Sequence, residues 1–265
     1  MKTRAITAFF FGTAMLASLL LGETVFLTFY FFLSMATLFE YFRLVGSEQY
    51  APQLPSGIVL GTLLFRIFSS IAQGSLEYKL LALCIPVVIL IYIVELYRKT
   101  EKPFQNIALT ILGPVYVVVP FGLYLCLAFL DGTFNFQYPL GLLLLIWAND
   151  TGAYVFGVKF GKNRLFERHS PKKSWEGFFG GLFITLVAAG ILSQYFTELN
   201  LNNWLIVGLI ASVAGTFGDL TESMLKRSLN TKDSGGLLPG HGGLLDRFDS
   251  LFFAAPLVYF YLLFF

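Results

Sequence analysis

The chain has 265 residues, of which 56% are hydrophobic and 13% are charged, and its formal net charge is +2. Soluble domains carry about 25% charged residues. This composition excludes a water-soluble globular protein, which would have to expose too much apolar surface. The chain is therefore predicted to be an all-α, polytopic integral membrane protein.

Nine apolar segments are long enough to form transmembrane helices, which need about 20 apolar residues each. In chain order they are 5–21, 24–43, 54–71, 79–97, 104–130, 139–158, 175–196, 204–227 and 247–265. The first has the basic start of a signal peptide but lacks a small-x-small cleavage site, so we expect it to be retained. The fifth contains Pro114 and Pro120 and is predicted to be kinked or tilted.

Basic residues are concentrated in alternate loops. Of the 18 Lys and Arg residues, all except Arg66 and Lys79 fall at the N-terminus or in the second, fourth, sixth and eighth loops. Because cytoplasmic loops carry the excess of Lys and Arg, the N-terminus is predicted to be cytoplasmic. The chain then divides into about five N-terminal spans (1–140) and a C-terminal region (141–265), with cytoplasmic loops at 159–175 and 228–246.

The eighth span ends in a polar stripe. Its members are spaced i, i+3, i+4, i+7 and i+8 and share one helix face: Asp219, Glu222, Ser223, Lys226 and Arg227. Ionisable groups inside a membrane span are costly and are functional candidates by default. The alternative is a self-compensating set, with Glu222 and Lys226 as an i,i+4 ion pair. That alternative explains Asp219 less well, because Asp219 lies further inside the span.

Asp246 and Asp249 begin the ninth span at positions i and i+3. Carboxylates at a helix N-terminus also stabilise the helix dipole, so capping is an alternative role. With Asp219 across a short loop, three carboxylates would meet where two helices reach the cytoplasmic interface. Mg²⁺ prefers oxygen ligands and usually binds one or two carboxylates together with substrate phosphates. Asp219, Asp246 and Asp249 are therefore the predicted metal ligands.

The connecting stretch, KDSGGLLPGHGGLLDRFDS, is rich in glycine and charge. Its glycines allow positive-φ turns and let backbone N–H groups approach an anion, although a flexible connector is the alternative. Lys and Arg side chains suit phosphate oxygens. The candidate phosphate-binding residues are Lys232, Gly242 and Gly243 in this stretch, and Lys226 and Arg227 at the end of the eighth span. His241 either donates to a phosphate or fixes the loop.

The sixth loop supplies a second cluster, SPKKSWEG, which contains Lys172 and Lys173. A basic loop that only sets the topology is the alternative. Asp150, in WANDTGAY, lies at the inner end of the span that leads into this loop and needs a partner there. The chain has no Walker loop, HExxH motif or G-x-S-x-G elbow. These residues together indicate a phosphate-rich substrate held by Mg²⁺ and basic side chains.

The stretch SMLKRSLNTKDSGGLLPGHGGLLDRFD, residues 223–249, resembles the signature of the CDP-diacylglycerol synthases, also named phosphatidate cytidylyltransferases. Every signature position is filled: Ser223, Lys226, Arg227, Lys232, Asp233, Pro239, His241, Gly242, Gly243, Asp246, Arg247 and Asp249. DTGAY, SPKKSWEG and GDLTES also occur in the family's order. The resemblance therefore covers about residues 145–250, whereas the first 140 residues fit only in hydropathy.

The resemblance implies a Mg²⁺-dependent reaction in which CTP and phosphatidate give CDP-diacylglycerol and pyrophosphate. For this reaction we expect catalytic roles for Asp219, Asp246, Lys226 and Arg227. The implied substrate-binding residues are Ser223, Lys232, Asp233, His241, Gly242, Gly243 and Arg247, with Asp150, Lys172 and Lys173 added from the other motifs. Lys172 and Lys173 fit either substrate.

The expected location is the bilayer of a bacterial inner membrane, with the active site facing the cytoplasm. A second cation and a homodimer stay open, and no nucleic-acid partner is expected. Two other functions also stay open. A CTP-dependent polyprenol or phytol kinase shares parts of these motifs but would transfer the γ-phosphoryl group. An ion-coupled transporter would use Asp150 and Asp219 as relay groups.

Overall fold

The structure, a computed structural model, describes residues 2–47, 49–75, 78–237 and 242–265, with only the backbone for 2–6, 8 and 78. Within these ranges the chain forms two units: Met1–Phe134 with Asp233–Asp246, and Asn135–Lys232 with Arg247–Phe265. Eight helices of the described part are long and apolar enough to cross a membrane. The prediction of an all-α polytopic membrane protein is thereby confirmed, and the functional division at residue 140 stays a prediction.

The first unit contains six α-helices, of which α3 packs against α2, α4 and α6. They are α1 (Lys2–Leu20), α2 (Glu23–Val45), α3 (Leu54–Ala72), α4 (Tyr78–Tyr97), α5 (Pro103–Gly113) and α6 (Val119–Leu127). In α1 the apolar stretch of described side chains, Phe9–Leu20, is shorter than a full span. A π-helical segment, Pro114–Val118, joins α5 to α6 at the first of the two prolines that predicted an irregular fifth span.

Aromatic side chains form the core of the first unit. Phe26, Tyr30, Phe121 and Tyr124 are each 0% exposed. The Tyr30 hydroxyl donates to the Tyr124 hydroxyl at 3.4 Å. The two buried tyrosine hydroxyls thus form a hydrogen bond with each other inside the membrane-spanning part of the chain. These two buried hydroxyls therefore satisfy each other within the unit, where a bilayer offers no water.

Glu95 shows how the unit accommodates a buried carboxylate near the end of α4. It is 2% exposed, and each of its two oxygens accepts two hydrogen bonds. The donors are Gln53 Nε2 (2.8 Å), Arg98 NH1 (2.8 Å), Thr100 Oγ1 (2.7 Å) and Asn106 Nδ2 (2.9 Å). Because every acceptor is used, this carboxylate is a structural element that ties the ends of α3, α4 and α5 together.

The second unit contains four α-helices and one hairpin, in which α7 packs against α8 and α9. They are α7 (Gln137–Phe160), β1 (Arg164–Phe166), β2 (Ser170–Ser174), α8 (Trp175–Tyr195), α9 (Leu201–Ser228) and α10 (Leu245–Phe264, in this unit from Arg247). Small residues allow the close approach of α7 and α8: Gly180 lies against the Phe156 ring, and Gly152 lies against the backbone of Gly180 and Gly181.

The hairpin of β1 and β2 is an element that the sequence did not predict. Its strands are antiparallel and pair Arg164 with Ser174 and Phe166 with Ser170. Short strands rich in Lys and Arg show neither the alternation nor the β-branched residues that mark a strand, so this stretch was expected to be a loop.

The hairpin is fastened to the first turn of α8. Ser174 Oγ accepts the N–H of Gly177 at 3.1 Å and caps the helix. Glu176 accepts the backbone N–H of Lys162 at 3.1 Å and the Asn163 side chain at 2.8 Å. These contacts hold the strand that carries Lys172 and Lys173 in a fixed position relative to α8.

Candidate active site

A cavity of about 400 Å³ lies in the second unit, between α7, α9, the hairpin and the start of α8. Four of the predicted site residues line it: Asp150, Lys172, Lys173 and Asp219. Another part of its wall is apolar and is formed by Tyr154 and Val158 of α7. These two side chains are 71% and 73% exposed on the surface of the helix. The cavity therefore joins a charged region to an apolar surface of a membrane-spanning helix.

Asp219 is the residue through which the two predicted clusters meet. Its Oδ2 forms an ion pair with Lys173 Nζ at 2.6 Å, and its Oδ1 accepts the Ser223 hydroxyl at 3.3 Å. The sequence placed Lys173 in the sixth loop and Asp219 in the eighth span without a link between them. The structure shows that they form one charged site.

Further carboxylates lie within electrostatic reach of Asp219. Asp150 on α7 lies close enough to Asp219, Lys173 and Arg247 to interact with them electrostatically. Asp249 on α10 interacts electrostatically with Asp219, Asp150 and Glu222. Of the three predicted metal ligands, Asp219 and Asp249 are thus brought together within the second unit. Asp246 belongs to the first unit, so its place in this ligand set stays a prediction.

The carboxylates do not form a ready-made metal cage. Within the described ranges, no three or more His, Cys, Asp or Glu side chains are grouped so as to hold a metal ion. Mg²⁺ usually takes one or two carboxylates, with substrate phosphates and water completing its octahedron. Asp219 and Asp249 are carboxylates of the kind that Mg²⁺ takes, and their binding of a metal ion stays a prediction.

The basic residues at the end of α9 have defined partners. Lys226 Nζ forms an ion pair with Oε2 of Glu222, which is 0% exposed. This confirms the i,i+4 pair that sequence analysis gave as the alternative to a catalytic role. Arg227 NH1 donates to the carbonyl of Thr231 at 3.1 Å, and Lys232 is exposed. Their binding of phosphate stays a prediction.

The segment Asp233–Asp246, named here the glycine-rich segment, belongs to the first unit. Asp246 Oδ2 accepts the Ser234 hydroxyl at 2.8 Å, the Ser234 N–H at 3.3 Å and the Gly243 N–H at 3.1 Å. Gly242 has φ of 84°, a conformation that favours glycine. Asp233 is exposed, and His241 lies outside the described residues. The carboxylate of Asp246 is therefore held in place by its own loop.

One residue at the glycine-rich segment was missed by sequence analysis. Glu40 of α2 is buried, and its Oε1 accepts the Ser234 hydroxyl at 2.9 Å and the Leu245 N–H at 3.0 Å. The sequence could have identified Glu40 as a candidate, because it lies in the apolar run TLFEYF and an ionisable residue inside a span is a functional candidate by default. The same argument had singled out Asp150.

Gly218, next to Asp219 on α9, allows α10 to approach the site. A Cβ at this position would collide with the backbone carbonyl oxygen of Asp249. We expect Gly218→Ala to destabilise the protein by about 1–3 kcal/mol, the usual cost of overpacking. Turnover should fall as well, because Asp219 and Asp249 would be displaced. Thermal unfolding in detergent and an activity assay measure the two effects.

Gly190 on α8 is the matched control for Gly218. A Cβ there would meet nothing within 4 Å, so Gly190→Ala should leave both the unfolding midpoint and turnover near wild type. Equal behaviour of the two alanine variants would contradict the close approach of α10 to Gly218.

Comparison with known proteins shows the family to which the chain belongs. The model of the cytidylyltransferase family matches residues 2–265. A phosphatidate cytidylyltransferase of Staphylococcus haemolyticus is 35% identical over 261 residues, 97% of each chain. One of Staphylococcus epidermidis is 34% identical over 264 residues, again 97% of each chain. One of Staphylococcus aureus is 41% identical over 162 residues, 60% of each chain. The chain is a member of the cytidylyltransferase family.

Proposed function

We propose that this protein is a phosphatidate cytidylyltransferase, which converts CTP and phosphatidate into CDP-diacylglycerol and pyrophosphate. The cavity lined by Lys172, Lys173, Asp150 and Asp219 carries this proposal. Its charged part suits phosphate groups, and its apolar wall on α7 suits the chains of a membrane lipid. The names of the related staphylococcal proteins support the same activity.

In the proposed reaction, an oxygen of the phosphatidate phosphate attacks the α-phosphorus of CTP. A new P–O bond forms, the bond to the bridging oxygen of the β-phosphate breaks, and pyrophosphate leaves with that electron pair. A phosphate monoester is mostly dianionic at neutral pH because its second pKa is near 6. It therefore needs no strong general base, and most of the catalysis is positioning and charge neutralisation.

The residues of the cavity supply both the positioning and the charge neutralisation. Lys172 and Lys173 neutralise phosphate oxygens, and the ion pair with Asp219 holds the Lys173 ammonium at the cavity. Lys226, Arg227, Lys232 and Arg247 are further candidates for the CTP phosphates. Gly242 and Gly243 would present backbone N–H groups to the nucleotide, and Asp233 and His241 stay predicted substrate-binding residues.

Asp219 and Asp249, with Asp246 as predicted from the sequence, are the proposed ligands of Mg²⁺. When bound, the ion would neutralise the CTP phosphates and polarise the α-phosphorus. Whether a second cation binds stays a prediction, as does a homodimer. The protein is an integral membrane protein, and its relatives come from bacteria. The basic sixth and eighth loops support an inner-membrane orientation with the cavity open to cytoplasmic CTP.

The decisive experiment is an assay with two labelled forms of CTP. Purified protein in detergent with Mg²⁺ and phosphatidate should move label from the α-phosphorus, but not from the γ-phosphorus, into the lipid fraction. Lipid labelled from the γ-position alone would instead indicate a lipid kinase. Substrate-driven ion flux in proteoliposomes without CTP turnover would indicate a transporter. Either result would overturn the proposed activity.

A further inference from the structure

Glu40 is a carboxylate buried inside a membrane-spanning helix. It lies five residues before the end of α2 and is 2% exposed. Burial of a carboxylate costs free energy unless it is hydrogen-bonded or paired, and such residues in membrane spans are rare. The hydrogen-bond partners of Glu40 therefore indicate its role.

Both described hydrogen bonds of Glu40 go to the glycine-rich segment, and both use Oε1. The Ser234 hydroxyl donates at 2.9 Å, and the backbone N–H of Leu245 donates at 3.0 Å. Ser234 stands near the start of the segment, and Leu245 is the first residue of α10. One oxygen atom of the second span thus holds both ends of a segment that lies 194 to 205 residues away in the sequence.

Two glycines of the segment fit around the same carboxylate. A Cβ at Gly235 would lie 2.7 Å from Glu40 Cδ, and a Cβ at Gly243 would collide with Glu40 Oε1 and Ser234 Oγ. These positions accept no side chain without displacement of Glu40. The segment is therefore shaped to this carboxylate on both sides.

Ser234 connects Glu40 to Asp246. Its Oγ lies 2.9 Å from Glu40 Oε1 and 2.8 Å from Asp246 Oδ2. A hydroxyl has one proton and donates to one acceptor at a time, so the two carboxylates share it. Each carboxylate also accepts backbone N–H groups: Leu245 for Glu40, and Ser234 and Gly243 for Asp246. Displacement of Glu40 would displace Ser234 and, through it, Asp246.

We infer that Glu40 is a positioning residue of the reaction: it anchors the glycine-rich segment and fixes Asp246 through Ser234. The inference rests on the proposed function, in which Asp246 is catalytic. Glu95 is the contrast in the same unit, because its four donors come from the ends of α3, α4 and α5 and their loops and none comes from the glycine-rich segment. Burial alone therefore does not account for the contacts of Glu40.

The test compares Glu40→Ala with Glu40→Gln in the full-length protein in detergent. Alanine removes the acceptor of Ser234 and Leu245. Turnover should fall about 10- to 100-fold, as is usual when a residue that orients a catalytic ligand is lost. Glutamine keeps a carbonyl oxygen in the same place, so Glu40→Gln should restore most of the turnover.

Hydrogen exchange measured by mass spectrometry gives a readout independent of activity. In Glu40→Ala, peptides covering residues 233–246 should exchange several-fold faster than in wild type, while those from α8 and α9 stay unchanged and report that the protein is folded. In Glu40→Gln the exchange of residues 233–246 should match wild type.

Thr37→Val is the matched control. Thr37 is buried one turn earlier on α2, but its hydroxyl donates to the carbonyl of Leu33 in its own helix at 2.8 Å. This variant should keep wild-type turnover and exchange. The inference is overturned if Glu40→Ala exchanges like wild type, if glutamine fails to rescue, or if Thr37→Val has the same effects. A wild-type protein that makes no CDP-diacylglycerol would refute the proposed function separately, since the exchange experiment needs no turnover.

Discussion

Asp219→Asn is expected to lower kcat about a thousandfold. The variant keeps an acceptor for Ser223 but removes the charge that pairs with Lys173 and that we assign to the metal. A bound divalent cation contributes several kcal/mol to the transition state, and each ~1.4 kcal/mol is about tenfold in rate. Transfer of α-labelled phosphorus from CTP to lipid, measured over a range of Mg²⁺ concentrations, tests this.

Glu198→Gln is the control for Asp219→Asn. Glu198 is exposed in the same unit, in the loop between α8 and α9, so the change in net charge is the same. Its turnover should equal that of wild type, and both variants should unfold at similar temperatures. Turnover of Asp219→Asn within a few-fold of wild type at saturating Mg²⁺ would remove Asp219 from the catalytic site.

Asp246→Asn should abolish turnover without loosening the glycine-rich segment. The amide oxygen can occupy the position of Oδ2 and accept the hydrogen bonds from Ser234 and Gly243, so the segment keeps its anchors. The negative charge is lost, and with it the proposed contribution to Mg²⁺ binding. We expect a loss of about a thousandfold or more in kcat, with hydrogen exchange of residues 233–246 as in wild type.

This pattern distinguishes Asp246 from Glu40. Asp246→Asn should change turnover alone, whereas Glu40→Ala should change turnover and exchange together. Asp246→Ala, which removes the acceptor as well as the charge, should combine both effects. If Asp246→Asn stays active at saturating Mg²⁺, Asp246 does not contribute to the metal site.

The membrane-spanning helices could be predicted closely from the apolar runs. The predicted span 54–71 corresponds to α3 (Leu54–Ala72), and the predicted span 79–97 to α4 (Tyr78–Tyr97). The reason is physical: the bilayer thickness sets the length of a span, and only a helix satisfies its own backbone within it. The hairpin of β1 and β2 lies outside the spans, where neither constraint applies, and it was missed.

Helical spacing also predicted the contacts that form within one element. The stripe on α9 predicted an i,i+4 ion pair of Glu222 and Lys226, which the structure shows, and the structure adds a hydrogen bond from Ser223 to Asp219. Such pairs need only the 3.6-residue period. The period does not reveal which members of the stripe find partners on other helices.

The sequence by itself determined the class of the protein, its spans and the family to which its motifs belong. Only the tertiary structure decided that Asp219 pairs with Lys173 and that Glu40 holds Ser234 and Leu245. The partners of Glu40 lie 194 and 205 residues away along the chain, a separation at which no local periodicity acts. A buried carboxylate in a membrane must find donors inside the protein, but which donors it finds depends on how the helices pack.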